Sequence, residues 1–171
     1  MKILTLAIIT ALISIDVYTQ SYTSPHEDGL QISMYVDAKN AVLGSQVNPP
    51  GIDLIIRPYY RINKLEIGVV YETFPAIGFE SIGLMAGYVK NLGKYKKYQK
   101  EIATWIEFGD IHNKTKTVSY KAINIEYRIE IKRFYVSALL QVKERRELSN
   151  DKNPVTSIYG GAGYQITRDC K

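Results

Sequence analysis

Residues 123–130 read Ile-Asn-Ile-Glu-Tyr-Arg-Ile-Glu, with an apolar or aromatic side chain at every odd position and a polar or charged one at every even position. Successive side chains of a β-strand point to opposite faces, so this stretch predicts a strand with one apolar face and one ionic face. The 3.6-residue period of a helix does not fit it. An ionic face of this kind needs charged partners on neighbouring strands.

The same alternation recurs along the rest of the chain in segments of about ten residues, the signature length of membrane-barrel strands. The segments span roughly 30–38, 52–62, 64–73, 79–90, 100–111, 117–131, 133–144 and 155–167. Turn-forming residues such as Pro49-Pro50-Gly51 and Asn153-Pro154 separate them. The pattern predicts an all-β fold, an eight-stranded antiparallel up-and-down transmembrane β-barrel.

The charged face of these segments is the candidate functional site. A closed eight-stranded barrel has an interior just wide enough for side chains to fill, and the glycine-rich ionic face suits that space better than the bulky aliphatic face. The predicted interior polar network consists of Asp53, Arg57, Glu66, Glu72, Glu107, Glu126, Arg128 and Lys143. Arg61 lies on the same face, and the opposite signs come close to balancing. A soluble barrel with the apolar face inward would show the same alternation and stays open as an alternative.

The placement of the aromatic residues favours the membrane. With the N-terminus on the periplasmic side, one set of rings falls near one membrane boundary and a second set near the other. The first set is Tyr60, Tyr88, Tyr127, Phe134 and Tyr164, and the second is Tyr71 and Phe108. These residues form the predicted aromatic girdle. The alternative is that tyrosine is simply a good strand former.

The N-terminus has the pattern of an export signal. Lys2 precedes an apolar run from Ile3 to Ile15, which is too short to span a bilayer as a helix. We expect residues 1–20 to be a signal peptide, 21–29 a short polar leader and 30–168 the barrel domain. An uncleaved N-terminal core element is the alternative. Cys170 is the one cysteine, so an intrachain disulfide is excluded.

The export signal, the alternating segments and the polar interior together resemble the small bacterial outer-membrane barrels of the outer membrane protein A and X type, by pattern only. The resemblance spans about residues 30–168 and implies the bacterial outer membrane as location and membrane lipid as surroundings. Two features depart from that class. Pro58 lies inside a strand that must pair on both sides, and Ile166 is followed by Thr167-Arg168-Asp169-Cys170-Lys171 rather than by a terminal aromatic residue.

The sequence offers little chemistry. His26 and His112 are the only histidines, and Ser119 is the nearest serine to His112. We therefore expect no enzyme, no metal and no cofactor. The formal charge of +5 is scattered, which argues against nucleic acid in an exported protein.

We expect a monomeric structural or interaction protein of the cell envelope with a plugged interior. Its outer loops near 39–51, 110–117 and 145–154 would contact an external partner. A narrow pore, or a soluble exported lipocalin-like barrel holding an apolar ligand, are the alternatives.

Overall fold

The computed structural model describes residues 28–37, 51–95, 98–113, 116–144 and 154–166. The predicted signal peptide, most of the leader, and most of the loops near 39–51 and 145–154 lie outside these residues. The strands are β1 (Gly29–Asp37), β2 (Leu54–Ile62), β3 (Leu65–Phe74), β4 (Phe79–Tyr95), β5 (Tyr98–Asn113), β6 (Lys116–Ile131), β7 (Phe134–Glu144) and β8 (Pro154–Gln165). No helix in the described part of the chain is long and apolar enough to cross a membrane.

Each strand pairs antiparallel with the next along the chain, and β1 pairs with β8 to close the ring. The predicted eight-stranded antiparallel up-and-down barrel is confirmed. Tight turns join β2 to β3 at Asn63-Lys64 and β6 to β7 at Lys132-Arg133. Asn63 and Lys132 have positive φ angles of 54° and 61°, the left-handed conformation that lets the chain reverse within two residues. We call this end of the barrel the turn end and the opposite end the loop end.

Two of the predicted connections are wrong. The gap between the predicted segments 79–90 and 100–111 is mostly strand, because β4 and β5 stay paired as far as Tyr95 and Tyr98. Gly93 accommodates a bulge in this ladder with a φ of 109°.

At the loop end the predicted loop 110–117 is mostly strand, since β5 reaches Asn113 and pairs it with Lys116. Paired polar strands that rise past the apolar band resemble loops in sequence. Composition alone therefore set the strand boundaries too short.

Pro58 is accommodated without a register shift. Ile56 pairs with Tyr71 and Tyr59 pairs with Gly68, while Arg57 and Pro58 have no partner in the β2–β3 ladder. Proline has no N–H to donate, so a lost stretch of ladder is the expected consequence. The interruption is local, because the same register resumes beyond it.

The apolar face points outward and the ionic face inward. Ile67 is 58% exposed and Ile106 is 48% exposed, whereas Glu126 and Arg128 are 0% exposed. The soluble lipocalin-like alternative is therefore wrong, since it needs the aliphatic side chains around the axis. The apolar residues that interrupt the ionic face in the sequence are buried inside, where they pack with aromatic rings: Ile55, Val70, Met85, Val89 and Leu139.

Candidate functional site

A column of ionic and phenolic side chains fills the barrel. The half that extends from the middle to the turn end, which we call the arginine ladder, contains Arg57, Arg61, Glu66, Glu101, Glu126 and Arg128. The half nearer the loop end, which we call the lysine cluster, contains Asp53, Glu72, Ser81, Glu107, Tyr120, Asn124, Lys143 and Tyr159. The inward face of every strand from β2 onward contributes to one half or the other.

The centre of the arginine ladder joins β2, β3 and β6. Arg57 Nη2 lies 3.0 Å from Glu126 Oε2, and Arg128 Nη2 lies 2.6 Å from the same oxygen. Arg128 Nη2 also donates to Glu66 Oε2 at 2.9 Å, and its Nη1 contacts the other Glu66 oxygen. Arg128 thus bridges two carboxylates with the planar fork that suits guanidinium to carboxylate.

Toward the turn end the ladder continues through Arg61. Its Nη2 lies 2.8 Å from Glu66 Oε1 and 3.0 Å from Glu101 Oε2, and its Nη1 lies 3.6 Å from Glu130 Oε1. Gln99 Nε2 donates to Glu101 Oε1 at 3.0 Å. Cations and carboxylates therefore alternate from the barrel centre to its end, which is the arrangement that makes buried charge tolerable.

Aromatic rings enclose the guanidinium of Arg57. Its Cζ lies 3.9 Å from the centroid of Trp105, 4.7 Å from that of Tyr59 and 5.1 Å from that of Tyr35. Tyr35 Oη donates to Glu126 Oε1 at 2.8 Å, so the same ring also supports the carboxylate partner. Stacked rings attract a desolvated cation through their negative faces.

The lysine cluster is built differently. Lys143 Nζ donates to Glu72 and to Ser81 Oγ, the latter at 2.9 Å, and lies 3.8 Å from the Tyr120 ring centroid. Neutral side chains donate hydrogen bonds to several of the other carboxylate oxygens. Tyr120 donates to Glu107, and Ser81 Oγ donates to Glu72 Oε2 at 3.3 Å.

Two further donors complete the cluster. Asn124 Nδ2 donates to Glu107 Oε2 at 3.2 Å. Tyr159 Oη lies 3.2 Å from Asp53 Oδ2 and 3.4 Å from Glu72 Oε1. Lys143 is the one cation in the cluster, whereas Asp53, Glu72 and Glu107 supply carboxylates.

Glycines on β8 make room for the large rings of this column. A Cβ at Gly163 would overlap the ring of Tyr135, and a Cβ at Gly161 would overlap that of Tyr35. Tyr135 on β7 in turn lies 3.0 Å, oxygen to oxygen, from Tyr59 on β2. Gly161 and Gly163 therefore serve packing in the crowded interior, whereas a Cβ at Gly160 would meet open space.

All eight residues of the predicted interior network are buried inside the barrel. The ladder also uses Glu101, which sequence reasoning missed although it shares the parity of Glu107 on the same strand. Asp28 lies at the mouth of the barrel and is left out of the following comparison. The buried carboxylates are then Asp53, Glu66, Glu72, Glu101, Glu107 and Glu126. The buried cations are Arg57, Arg61, Arg128 and Lys143. The interior is thus more acidic than the expected near-balance.

The residues of the predicted aromatic girdle all project from the outward face. Among them Phe134 is 64% exposed, and its ring centroid lies 4.7 Å from that of Tyr164. At the turn end Lys64 Nζ lies 5.8 Å from the Tyr88 centroid, and at the loop end Lys121 Nζ lies 5.9 Å from that of Phe108. Cations next to outward rings mark the two ends of the apolar band.

The side chains around His112 do not form a Ser-His-acid relay. Ser119 Oγ donates to Asp110 Oδ1 at 2.8 Å, whereas His112 Nδ1 lies 3.0 Å from Thr117 Oγ1. The serine is thus hydrogen-bonded to the acid. A nucleophilic site would instead require a serine hydrogen-bonded to the imidazole. Within the described ranges, no three His, Cys, Asp or Glu side chains come together as a potential metal site.

No protein-family model matches the sequence, and no curated protein matches it. Solved structures do match. The Yersinia pestis outer membrane protein Ail in a phospholipid bilayer nanodisc aligns with a TM-score of 0.51 and 14% identity, covering 82% of this chain and 100% of Ail. A crystal structure of Y. pestis Ail aligns at 0.40 and 12%, covering 82% and 98%. Neisserial surface protein A aligns at 0.47 and 11%, covering 80% and 96%.

The match to the nanodisc structure concerns the fold and covers 82% of this chain. The class defined here is the small eight-stranded β-barrel with an apolar outer surface and an ionic interior. The resemblance to outer-membrane barrels of the A and X type is confirmed at the level of that fold.

Proposed function

We propose that this chain is a bacterial outer-membrane barrel whose interior is sealed and whose loop end contacts a partner outside the cell or in the envelope. The observation that carries the proposal is the inversion of the two faces. The outer surface of the wall is aliphatic, while the charged side chains lie inside it, held by salt bridges and hydrogen bonds. In water this arrangement would expose a large continuous apolar belt, and in a bilayer it buries that belt in hydrocarbon.

The interior contacts support a seal rather than a pore. Arg57 on β2 reaches Glu126 on β6, and Lys143 on β7 reaches Glu72 on β3, so these contacts span the full width of the ring. Tyr59, also on β2, is 1% exposed. A water path through this level would leave its lining groups accessible, and an eight-stranded wall encloses little spare space.

Single-channel recording in planar bilayers tests the seal. The purified barrel is expected to insert without conductance steps, with insertion scored separately by heat-modifiable migration on a detergent gel. The double variant Arg57→Ala/Glu126→Ala removes one contact that spans the ring and serves as a positive control for a leak. Steady channels from the wild-type protein would contradict the sealed interior and favour the narrow pore.

The β5–β6 hairpin supports a contact role for the loop end. Its outward positions change from apolar to polar near the tip, where Asp110, His112, Thr117 and Ser119 replace the aliphatic residues found lower on the same strands. Outward polar side chains hydrogen-bonded to one another suit water rather than lipid. We infer that this tip stands clear of the membrane and belongs to the contact surface, together with the loops near 39–51 and 145–154.

Epitope insertion tests both location and orientation. A tag placed between Lys114 and Thr115 is expected to bind antibody on intact cells. The matched control carries the same tag between Lys132 and Arg133, and is expected to bind only after the outer membrane is permeabilised. The reverse labelling pattern would contradict the orientation, and labelling of neither tag in an outer-membrane fraction would contradict the location.

We also propose that the protein has no enzymatic role. The pairing of Ser119 with Asp110, apart from His112, supports this reading. Turnover of phospholipid or ester substrates by the reconstituted barrel, abolished by Ser119→Ala, would contradict it.

A further inference from the structure

A basic rim surrounds the turn end of the barrel. Its members are Lys64 in the β2–β3 turn, Lys90, Lys94 and Lys100 on the β4–β5 hairpin, and Lys132 and Arg133 in the β6–β7 turn. Because these residues come from three separate connections of a closed ring, the positive charge is distributed around the circumference.

The carboxylates near the rim are buried or point inward. Glu66, Glu101 and Glu130 point inward, where all three contact Arg61. The outward-facing acids among the described residues lie at the loop end: Glu80, Asp110 and Glu144. Asp28, which accepts from Asn63 N in the β2–β3 turn, is buried. Over the described ranges the exposed outer surface therefore carries cations at the turn end and both signs at the loop end.

The rim lies where the apolar band stops. On β4 the outward positions from Ile82 to Tyr88 are apolar or aromatic, and the next outward residue is Lys90. Lys100 Nζ lies 5.8 Å from the Tyr95 ring centroid, which repeats the Lys64–Tyr88 arrangement on the neighbouring hairpin. Aromatic rings with adjacent cations are typical of headgroup depth, where phosphate groups are available as acceptors.

Lys90 provides an independent indication. Its ammonium is covered by protein atoms and has no hydrogen-bond partner among the described residues. An unsatisfied ammonium is costly, and rotation of this flexible outward side chain would bring it to an acceptor outside the protein. At the edge of an apolar band that acceptor is the headgroup layer.

We propose that the basic rim binds the phosphate groups of anionic phospholipids in the leaflet at the turn end. This proposal rests on the proposed membrane location and adds a lipid preference to it. Each cation near an anionic surface strengthens the attraction, and the contribution falls with ionic strength. A cell-wall polymer fits less well, because Lys64 and Lys100 flank lipid-facing rings on the outer surface rather than pointing into the mouth of the barrel.

Lipid-selectivity measurements test the proposal. The barrel is reconstituted in phosphatidylcholine vesicles, and electron spin resonance compares spin-labelled phosphatidylglycerol with spin-labelled phosphatidylcholine at the protein surface. The wild type is expected to favour phosphatidylglycerol. The rim variant Lys90→Gln/Lys100→Gln is expected to lose roughly half of that preference or more, and raised salt should weaken what remains.

A matched control removes two lysines at the loop end, Lys116→Gln/Lys121→Gln. Lys121 lies beside Phe108 much as Lys100 lies beside Tyr95, so a general cation effect would change both variants alike. Equal losses in the two variants would overturn the proposal.

Normal insertion with no lipid preference in the wild type would overturn this proposal alone. Rim-dependent binding of soluble cell-wall fragments without lipid preference would assign the surface to a polymer instead and overturn it too. Failure of the wild type to insert, scored by heat-modifiable migration, would overturn the membrane location and this inference with it.

Discussion

The two halves of the interior column stabilise their buried carboxylates in different ways. The arginine ladder places three guanidinium groups among carboxylates, and both Arg61 and Arg128 bridge two acids. The lysine cluster has a single cation, Lys143, and relies on hydroxyl and amide donors for the rest. A planar guanidinium group has five N–H donors and can bind two carboxylates at once, whereas an ammonium group is a compact point charge.

The difference implies unequal tolerance to substitution. In the ladder, Glu66 keeps Arg61 when Arg128 is lost, and Glu126 keeps Arg57. In the cluster, Glu72 has no second cation within ion-pair distance in the described part of the chain once Lys143 is gone. The number of contacts that a residue makes is therefore a poorer guide to its importance than the number of alternatives left to its partners.

The largest expected effect is at Lys143. Lys143→Met should lower the free energy of unfolding by about 4 kcal/mol, because it leaves a buried carboxylate without its cation. Urea unfolding of the refolded barrel in detergent, followed by the fluorescence of Trp105, the one tryptophan, measures it. Lys121→Met, outward at the same end, is the control. A loss for Lys143→Met no larger than that of an exposed pair, under about 1 kcal/mol, would contradict the single-cation description.

The next effect is at Glu126, which contacts both Arg57 and Arg128 and accepts from Tyr35. Glu126→Gln keeps the shape and removes the charge, so we expect a loss of about 3 kcal/mol. The same unfolding measurement in an Arg57→Met background should show a smaller cost, since part of the interaction is already absent. An unchanged unfolding midpoint in Glu126→Gln would mean that the buried carboxylate does not contribute to the stability of the barrel.

A smaller effect is expected at the centre of the ladder. Arg128→Lys keeps the charge and loses the bidentate contact with Glu66, which should cost about 2 kcal/mol. Arg133→Lys in the exposed β6–β7 turn is the matched control and should leave the unfolding curve unchanged. If Arg128→Lys proved more damaging than Lys143→Met, the ladder would lack the redundancy that its geometry indicates.

The smallest effect is at the end of the ladder. Glu130 is 20% exposed and lies 3.6 Å from Arg61, which has two closer partners. Glu130→Gln should therefore change the free energy of unfolding by less than about 1 kcal/mol. A loss as large as that of Glu126→Gln, measured side by side, would show that the ladder is no more tolerant at its end than at its centre.

Most of the interior was predictable because strand parity assigns each residue to one face. Parity placed Glu126, Arg128 and Lys143 together on the face that turns out to be buried, and it would also have found Glu101. It could not find the roles of Tyr35 and Trp105. Alternation does not distinguish a ring that packs among aliphatic residues from one that covers a guanidinium.

The alternation in the sequence determined the strands, their number and the separation of apolar from ionic faces, since side chains of a strand alternate by covalent geometry. Only the closed structure decided which face is inside and which charges meet. Arg57 and Glu126 are 69 residues apart in the chain, and only ring closure with a particular register places β2 opposite β6. Pairing across a barrel depends on the stagger of every ladder in between, a quantity that no single strand encodes.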